Sequence, residues 1–245
     1  MRRRDELRWL GVVRHGESTG NRTAQLAEQD GLERIDIPQR DADVPLSQLG
    51  QDQAVALGRW IAAREPAQRP EVAVVSPYRR ARQTAAAVLA GLDVPVVVDE
   101  RLRDRELGVL DLLTARGVAA LQPAEDARRR WHGKFYYRPP GGESWTDVLL
   151  RLRMLLRELR EDHPDGRVLL FGHEATVLLV RYLAEGLDEA QLMTLAHTNR
   201  IANCSISSWR RVDGVLEPEL FNHVEHLHAA GTPATVQEDV HAEPG

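Results

Sequence analysis

Four short apolar runs, Trp9–Val13, Val72–Val75, Val94–Val98 and Val168–Phe171, punctuate a chain of 245 residues. The stretches between them carry helical periodicity or polar loops. Short buried runs alternating with helices are how a parallel sheet is written in sequence. The expected fold is α/β: a three-layer sandwich with a mostly parallel central sheet, helices on both faces, and a helical and loop cap over the strand carboxyl ends. Three of the runs break into groups suited to holding an anion. The first ends in Arg14-His15-Gly16, the second leads through Ser76-Pro77-Tyr78 into Arg79-Arg80, and the last ends in Gly172-His173-Glu174. Carboxyl ends of parallel strands lie along one edge, so these residues are expected to converge on one crevice.

The remaining elements frame that crevice. Ser47 reads as the N-cap of a helix with Ala54, Leu57 and Ile61 at helical spacing. Pro77, good helix formers after it and the preceding serine describe another helix start. Val148, Leu152, Leu155 and Leu159 form a core-facing stripe over Asp147–Glu161, and a further helix is expected over Ala175–Glu185. Arg22–Val44 reads as a long surface loop. The charged loop Arg101–Asp111, a mixed helical stretch from Thr114 to Trp131, and an irregular Lys134–Ser144 with its proline and glycine pairs form the cap. Asn203–Trp209 and Val215–Phe221, parted by Asp213-Gly214, read as the last two strands. Residues 1–228 are expected to form one domain and 229–245 a disordered tail.

Composition excludes several classes. Hydrophobic content of 42% and charged content of 28% are those of a globular protein, and a net charge of −5 supplies no basic field for nucleic acid. Met1-Arg2-Arg3-Arg4 is followed by Asp5 and Glu6 with no long apolar segment, so neither an export signal nor a membrane span is expected. One cysteine, Cys204, fits a cytoplasmic setting. No cofactor or metal is expected: the histidines of His223-Val224-Glu225-His226-Leu227-His228 lack an i, i+4 pair and read as incidental clustering. Oligomeric state is left open, a homo-oligomer being compatible with the sequence.

The residue types at the strand ends point to phosphoryl chemistry. A neutral imidazole is a competent nucleophile near pH 7. Guanidinium groups match the charge that spreads over the phosphoryl oxygens during attack. Two arginines and a second, protonated histidine would hold that charge, and a general acid must protonate the leaving oxygen.

Arg14-His15-Gly16-Glu17-Ser18 with Asn21, Pro45-Leu46-Ser47-Gln48-Leu49-Gly50, Ser76 to Ala85, Pro140-Gly141-Gly142-Glu143-Ser144 and Gly172-His173-Glu174 occur in this order. From about Leu10 to Ser208 the chain resembles the histidine phosphatase superfamily, also called phosphoglycerate mutase-like. The resemblance implies a phosphohistidine on His15, with Arg14, Arg80 and His173 around the phosphoryl group and Asn21 as a further contact. Arg80 is preferred to Arg79 because the family's arginine directly precedes the alanine. Gly16 is expected to leave room for the turn, and Glu17 and Glu143 to stand as supporting or substrate-side groups. Where this branch of the family has Leu-Arg-Glu, the chain has Leu102-Arg103-Asp104. The acid/base is therefore expected to be Asp104, with Glu106 as the competitor.

The Pro-Gly-Gly-Glu-Ser stretch resembles the phosphatase branches, implying hydrolysis of a small-molecule phosphomonoester. The alternatives are a cofactor-dependent phosphoglycerate mutase-type phosphotransferase and a catalytically weak phospholigand-binding protein. Arg103, Arg105, Lys134 and Arg138 suggest an anionic or multiply phosphorylated substrate.

Overall fold

The computed structural model describes residues 7–236; the basic residues 1–4 and the expected tail at 237–245 lie outside the described residues. In chain order the elements are β1 (Trp9–Arg14), α1 (Thr19–Gln29), α2 (Gln48–Ala62), β2 (Val72–Val75), α3 (Arg79–Val88), β3 (Val96–Val98), α4 (Ala115–Leu121), α5 (Pro123–Tyr136), α6 (Trp145–Asp162), β4 (Arg167–Gly172), α7 (Glu174–Glu185), α8 (Glu189–Thr198), β5 (Ile206–Val212), β6 (Val215–His223) and α9 (Glu225–Ala229). One sheet runs in the order β3-β2-β4-β1-β5-β6. Its first four strands are parallel, while β5 and β6 are antiparallel additions beyond β1.

The period-two alternation of the central strands sorts their side chains between two cores. Leu10, Val12, Val72, Val74, Val168 and Leu170 face a core completed by α6, α7 and α8. Trp9, Val13, Ala73, Val75, Leu169 and Phe171 face the other, completed by α2, α3 and α9. This is the expected sandwich. The carboxyl ends of β1, β4 and β2 therefore lie side by side, pairing Val13 with Phe171 and Phe171 with Val75. Between β3 and α6, residues 99–144 form the cap, with a small core of its own around Leu110, Leu113, Val118 and Tyr137.

The structure departs from expectation where burial uses small residues. Part of the expected loop Arg22–Val44 is helical: α1 starts at a reciprocal cap between Ser18 and Asn21 and buries Gly20, Ala24 and Ala27, a stripe too small to register as apolar periodicity. The unforeseen α8 buries only Leu192 and Ala196, yet an Asp188/Gln191 capping box marks its start. Lys134–Tyr136, expected to be irregular, belongs to the last part of α5 beyond a break at Gly133, whose φ is 70°. Ser76 does not cap α3, which begins at Arg79 with Tyr78 before it. The segment after α9 does not fray at once: Gln53 Nε2 donates to Pro233 O, and Asn203 N donates to Thr235 O at 2.8 Å.

Gly16 has no left-handed backbone; its value is close approach. A Cβ there would lie 2.5 Å from Gly50 O, and one on Gly50 would lie 2.0 Å from Glu17 O. The first turn of α2 is thus pressed against the loop after β1. We predict that Gly50→Ala destabilises the fold by about 1–3 kcal/mol through overpacking. Urea unfolding checks this, and a midpoint equal to wild type would refute it.

Candidate active site

His15 is held from several directions before any substrate arrives. Its backbone N–H donates to Gly172 O at 3.0 Å, and its carbonyl accepts from Cys204 N and Asn203 Nδ2. Gly16 N donates to Thr84 Oγ1, tying the loop to α3. Nδ1 lies 2.7 Å from Gly16 O. A carbonyl can only accept, so Nδ1 carries the proton and Nε2 keeps the lone pair a nucleophile needs. Burial, reinforced by the neighbouring Arg80, His173 and Arg14, pushes the imidazole well below its ordinary value. His15 is therefore neutral at physiological pH.

The structure brings Arg14, Arg80, His173, Asp104 and Asn21 to the same place. With His15 all but His173 line one cavity of about 260 Å³, and the His173 ring packs edge-on against His15 at 5.2 Å. Arg14, fully enclosed, donates to Ile201 O and stands 3.6 Å from Glu174 Oε2. Arg80 Nη2 donates to Asp104 Oδ2 at 2.9 Å, and the same oxygen lies 3.0 Å from His173 Nδ1. The latter contact is chiefly electrostatic. Burial alone would raise the Asp104 pKa, but His173 and Arg80 hold it well below the usual carboxylate range. For His173 burial is the stronger influence, so its pKa is lowered despite Asp104. Burial thus works against the protonated form expected of His173, and Asp104 works for it. Asn21 turns Oδ1 back to Ser18 and sits on the cavity wall.

Glu17 and Glu143 do not line the cavity. Glu17 accepts from Ser47 Oγ at 2.6 Å, which locks α2 to the loop after β1. Glu143 accepts from Arg151 through both oxygens and from Arg103, while Arg151 also donates to the carbonyls of Arg101 and Asp104. Both glutamates position other groups. Glu106 reaches the cavity but is engaged by Tyr78 Oη at 3.0 Å. Asp104, not Glu106, is the carboxylate beside His173 and Arg80.

Sequence reasoning missed several supports. Ser76 Oγ meets His173 Nε2 at 2.9 Å, and Tyr78 packs edge-on against His173 and under the Arg80 guanidinium. Asn203 links the His15 carbonyl to Thr235, whose hydroxyl donates to Asn203 Oδ1. Ser76 lies in a recognised motif, where the sequence reads it as part of a helix start. Among the described residues, no group of three or more histidine, cysteine, aspartate or glutamate side chains is arranged to hold a metal. His226 instead contacts Cys204 O and packs near Trp60. No described helix is long and apolar enough to cross a membrane.

Residues 10–223 match the family model of the histidine phosphatase superfamily, branch 1. The chain belongs to this superfamily. It is 29% identical over 227 residues to a glucosyl-3-phosphoglycerate phosphatase of Mycolicibacterium vanbaalenii, covering 93% of this chain and 88% of that one. Against the enzyme of that name from Mycobacterium tuberculosis it is 30% identical, covering 86% and 87%. A 2,3-bisphosphoglycerate-dependent phosphoglycerate mutase 2 of Gloeobacter violaceus is 31% identical over 75% of this chain and 78% of its own. A solved mycobacterial glucosyl-3-phosphoglycerate phosphatase, complexed with VO3, superimposes with a TM-score of 0.70 at 29% identity, over 88% of this chain and 98% of that one. The superfamily and its phosphatase members place the chain among phosphoric monoester hydrolases.

Two outcomes follow from the geometry. A nucleophilic His15 must be neutral, and its pKa is lowered, so the acid limb of kcat/KM, corrected for substrate ionisation, is expected below the ordinary imidazole value of about 6.5. A limb at or above that value in a pH–rate profile would contradict this. Ser76→Ala, which removes the partner of His173 Nε2, is expected to lower kcat/KM about tenfold, read by steady-state kinetics.

Proposed function

We propose that the chain hydrolyses a small-molecule phosphomonoester through a phosphohistidine on His15. The lone pair of His15 Nε2 attacks phosphorus, and the bond to the leaving oxygen breaks with its electron pair. Asp104 protonates that oxygen. It then takes a proton from the water that attacks the phosphohistidine, releasing inorganic phosphate and restoring Nε2. Arg14, Arg80 and His173 bear the charge on the phosphoryl oxygens, with Asn21 as a further contact.

The observation that carries this reading is the sharing of Asp104 Oδ2 between Arg80 Nη2 and His173 Nδ1, in the cavity His15 lines. A general acid must hold a proton, and Asp104 by itself is ionised. A phosphoryl dianion bound beside it adds negative charge and competes for Arg80, and both effects raise the proton affinity of Asp104 and His173. Substrate charge thus arms the acid.

The cavity also bears on the substrate. Of Arg103, Arg105, Lys134 and Arg138, only Arg105 and Lys134 line the cavity. Ile35, Ile37 and Leu112 add apolar surface. This favours one phosphoryl group with one further anionic group over a multiply phosphorylated ligand. A phosphorylated hydroxy acid such as glucosyl-3-phosphoglycerate fits, and the lone, buried thiol of Cys204 suits a reducing cytoplasm.

His15→Ala is expected to lower turnover of glucosyl-3-phosphoglycerate and of p-nitrophenyl phosphate by at least about a thousandfold. Quenching wild type into alkaline detergent, where the acid-labile P–N bond survives, should trap a phosphohistidine that this variant lacks. Turnover must not require bisphosphoglycerate; such a requirement would point to the mutase reaction. Asp104→Asn is expected to cost about a hundredfold or more on the sugar-acid ester and less on p-nitrophenyl phosphate, whose leaving group needs little protonation. Equal losses on both would remove Asp104 from the acid role.

A further inference from the structure

Arg80 is the centre of the phosphate pocket, and its donors are already committed. Nη1 donates to the backbone oxygen of Asp41 at 2.7 Å and to its Oδ1 at 2.8 Å. Nη2 donates to Asp41 Oδ2 at 3.1 Å and to Asp104 Oδ2 at 2.9 Å. All four terminal N–H groups therefore have acceptors. The Asp41 carboxylate spans both terminal nitrogens, the forked arrangement a phosphoryl group would also adopt. It reaches Arg80 from the short 3₁₀ turn Asp41–Asp43, on the chain between α1 and α2, and it lines the cavity.

A phosphoryl oxygen can engage these N–H groups only by replacing an acceptor. Displacing Asp104 would move the proposed acid. The Asp41 carbonyl is fixed by its turn, where it also accepts from Val44 N. The Asp41 carboxylate remains. Its side chain is 46% exposed while that of Arg80 is 5% exposed, so it can rotate into water without leaving a buried charge of its own. The retained carbonyl and Asp104 contacts would keep the guanidinium oriented.

We propose that Asp41 sets the affinity of the phosphoryl pocket: it is an internal carboxylate that competes with phosphoryl groups for Arg80. The displacement cost is common to product and substrate. Inorganic phosphate has phosphoryl contacts alone to offset it, whereas a full substrate adds the contacts of its organic part along the cavity. Asp41 thereby lowers the affinity for both and keeps the product, the weaker binder, from holding the pocket. This rests on the reading of the pocket as a phosphoryl site.

The test is direct binding of inorganic phosphate and orthovanadate by calorimetry, with phosphate inhibition of p-nitrophenyl phosphate hydrolysis as a second readout. Asp41→Asn and Asp41→Ala should each bind phosphate about tenfold more tightly than wild type, in line with loss of one charge-assisted contact. Asp43→Asn removes the same charge from the same turn, where Asp43 is paired with Arg40. It should leave phosphate affinity within about twofold, since exposed charges are well screened. Equal tightening by Asp43→Asn would reveal a general field effect and overturn the proposal. Unchanged or weaker binding by both folded Asp41 variants would overturn it too, showing that Asp41 orients Arg80 rather than competing for it. Wild type that binds phosphate while the variants gain nothing refutes this inference alone. Absence of binding by wild type and variants alike refutes the phosphoryl pocket with it.

Discussion

The pocket depends on keeping two guanidinium groups charged at the buried end of a parallel sheet. Arg14 and Arg80 are 2% and 4% exposed. An enclosed cation persists only with partners that offset its lost hydration. Arg14 finds Ile201 O and Glu174, and Arg80 finds Asp41 and Asp104. The acidic residues of the pocket are therefore first of all a condition for its basic ones. Once Asp104 lies against Arg80 for that reason, it is also beside His173 and available to move a proton. In the proposed mechanism, stabilising the cation and handling the leaving group share one carboxylate.

Support for this arrangement extends outward in layers. Arg151, on the long core helix α6, holds Glu143 and grips the carbonyls of Arg101 and Asp104. The segment bearing Asp104 is thus coupled to the sheet's main helical layer. On the other side, Glu17, Ser47, Gly50 and Gln53 fasten α2 to the loop carrying His15. His15 and Asp104 belong to different segments, but neither is left on a freely moving loop.

Much of this was legible in the sequence because it is written in backbone periodicity and strand ends. The apolar runs mark β1, β2 and β4 closely, and their polar terminations supply His15, Arg80 and His173 at one edge. What escaped detection depends on side-chain direction or small-residue packing. Glu17 and Glu143 occupy motif positions beside the chemistry, yet their carboxylates turn toward Ser47 and Arg151. Nothing in linear spacing distinguishes a carboxylate facing a cavity from one facing a neighbouring guanidinium. Ser76 could serve a helix or a histidine equally well by sequence, and only the fold brings His173 within reach. Helices α1 and α8 bury glycine, alanine and a lone leucine, leaving their capping residues as the readable signal.

The contact chain from His15 O through Asn203 to Thr235 joins residues far apart in sequence. His15 is synthesised well before its rear support. A growing chain can pair β1 with β4 and bring both histidines together, yet the backing of the His15 loop is completed only when Pro233–Thr235 reaches Gln53 and Asn203. Maturation of the pocket is thereby coupled to synthesis of the segment around Thr235, and a ribosome-bound intermediate cannot possess the fully braced His15 loop until that segment has emerged.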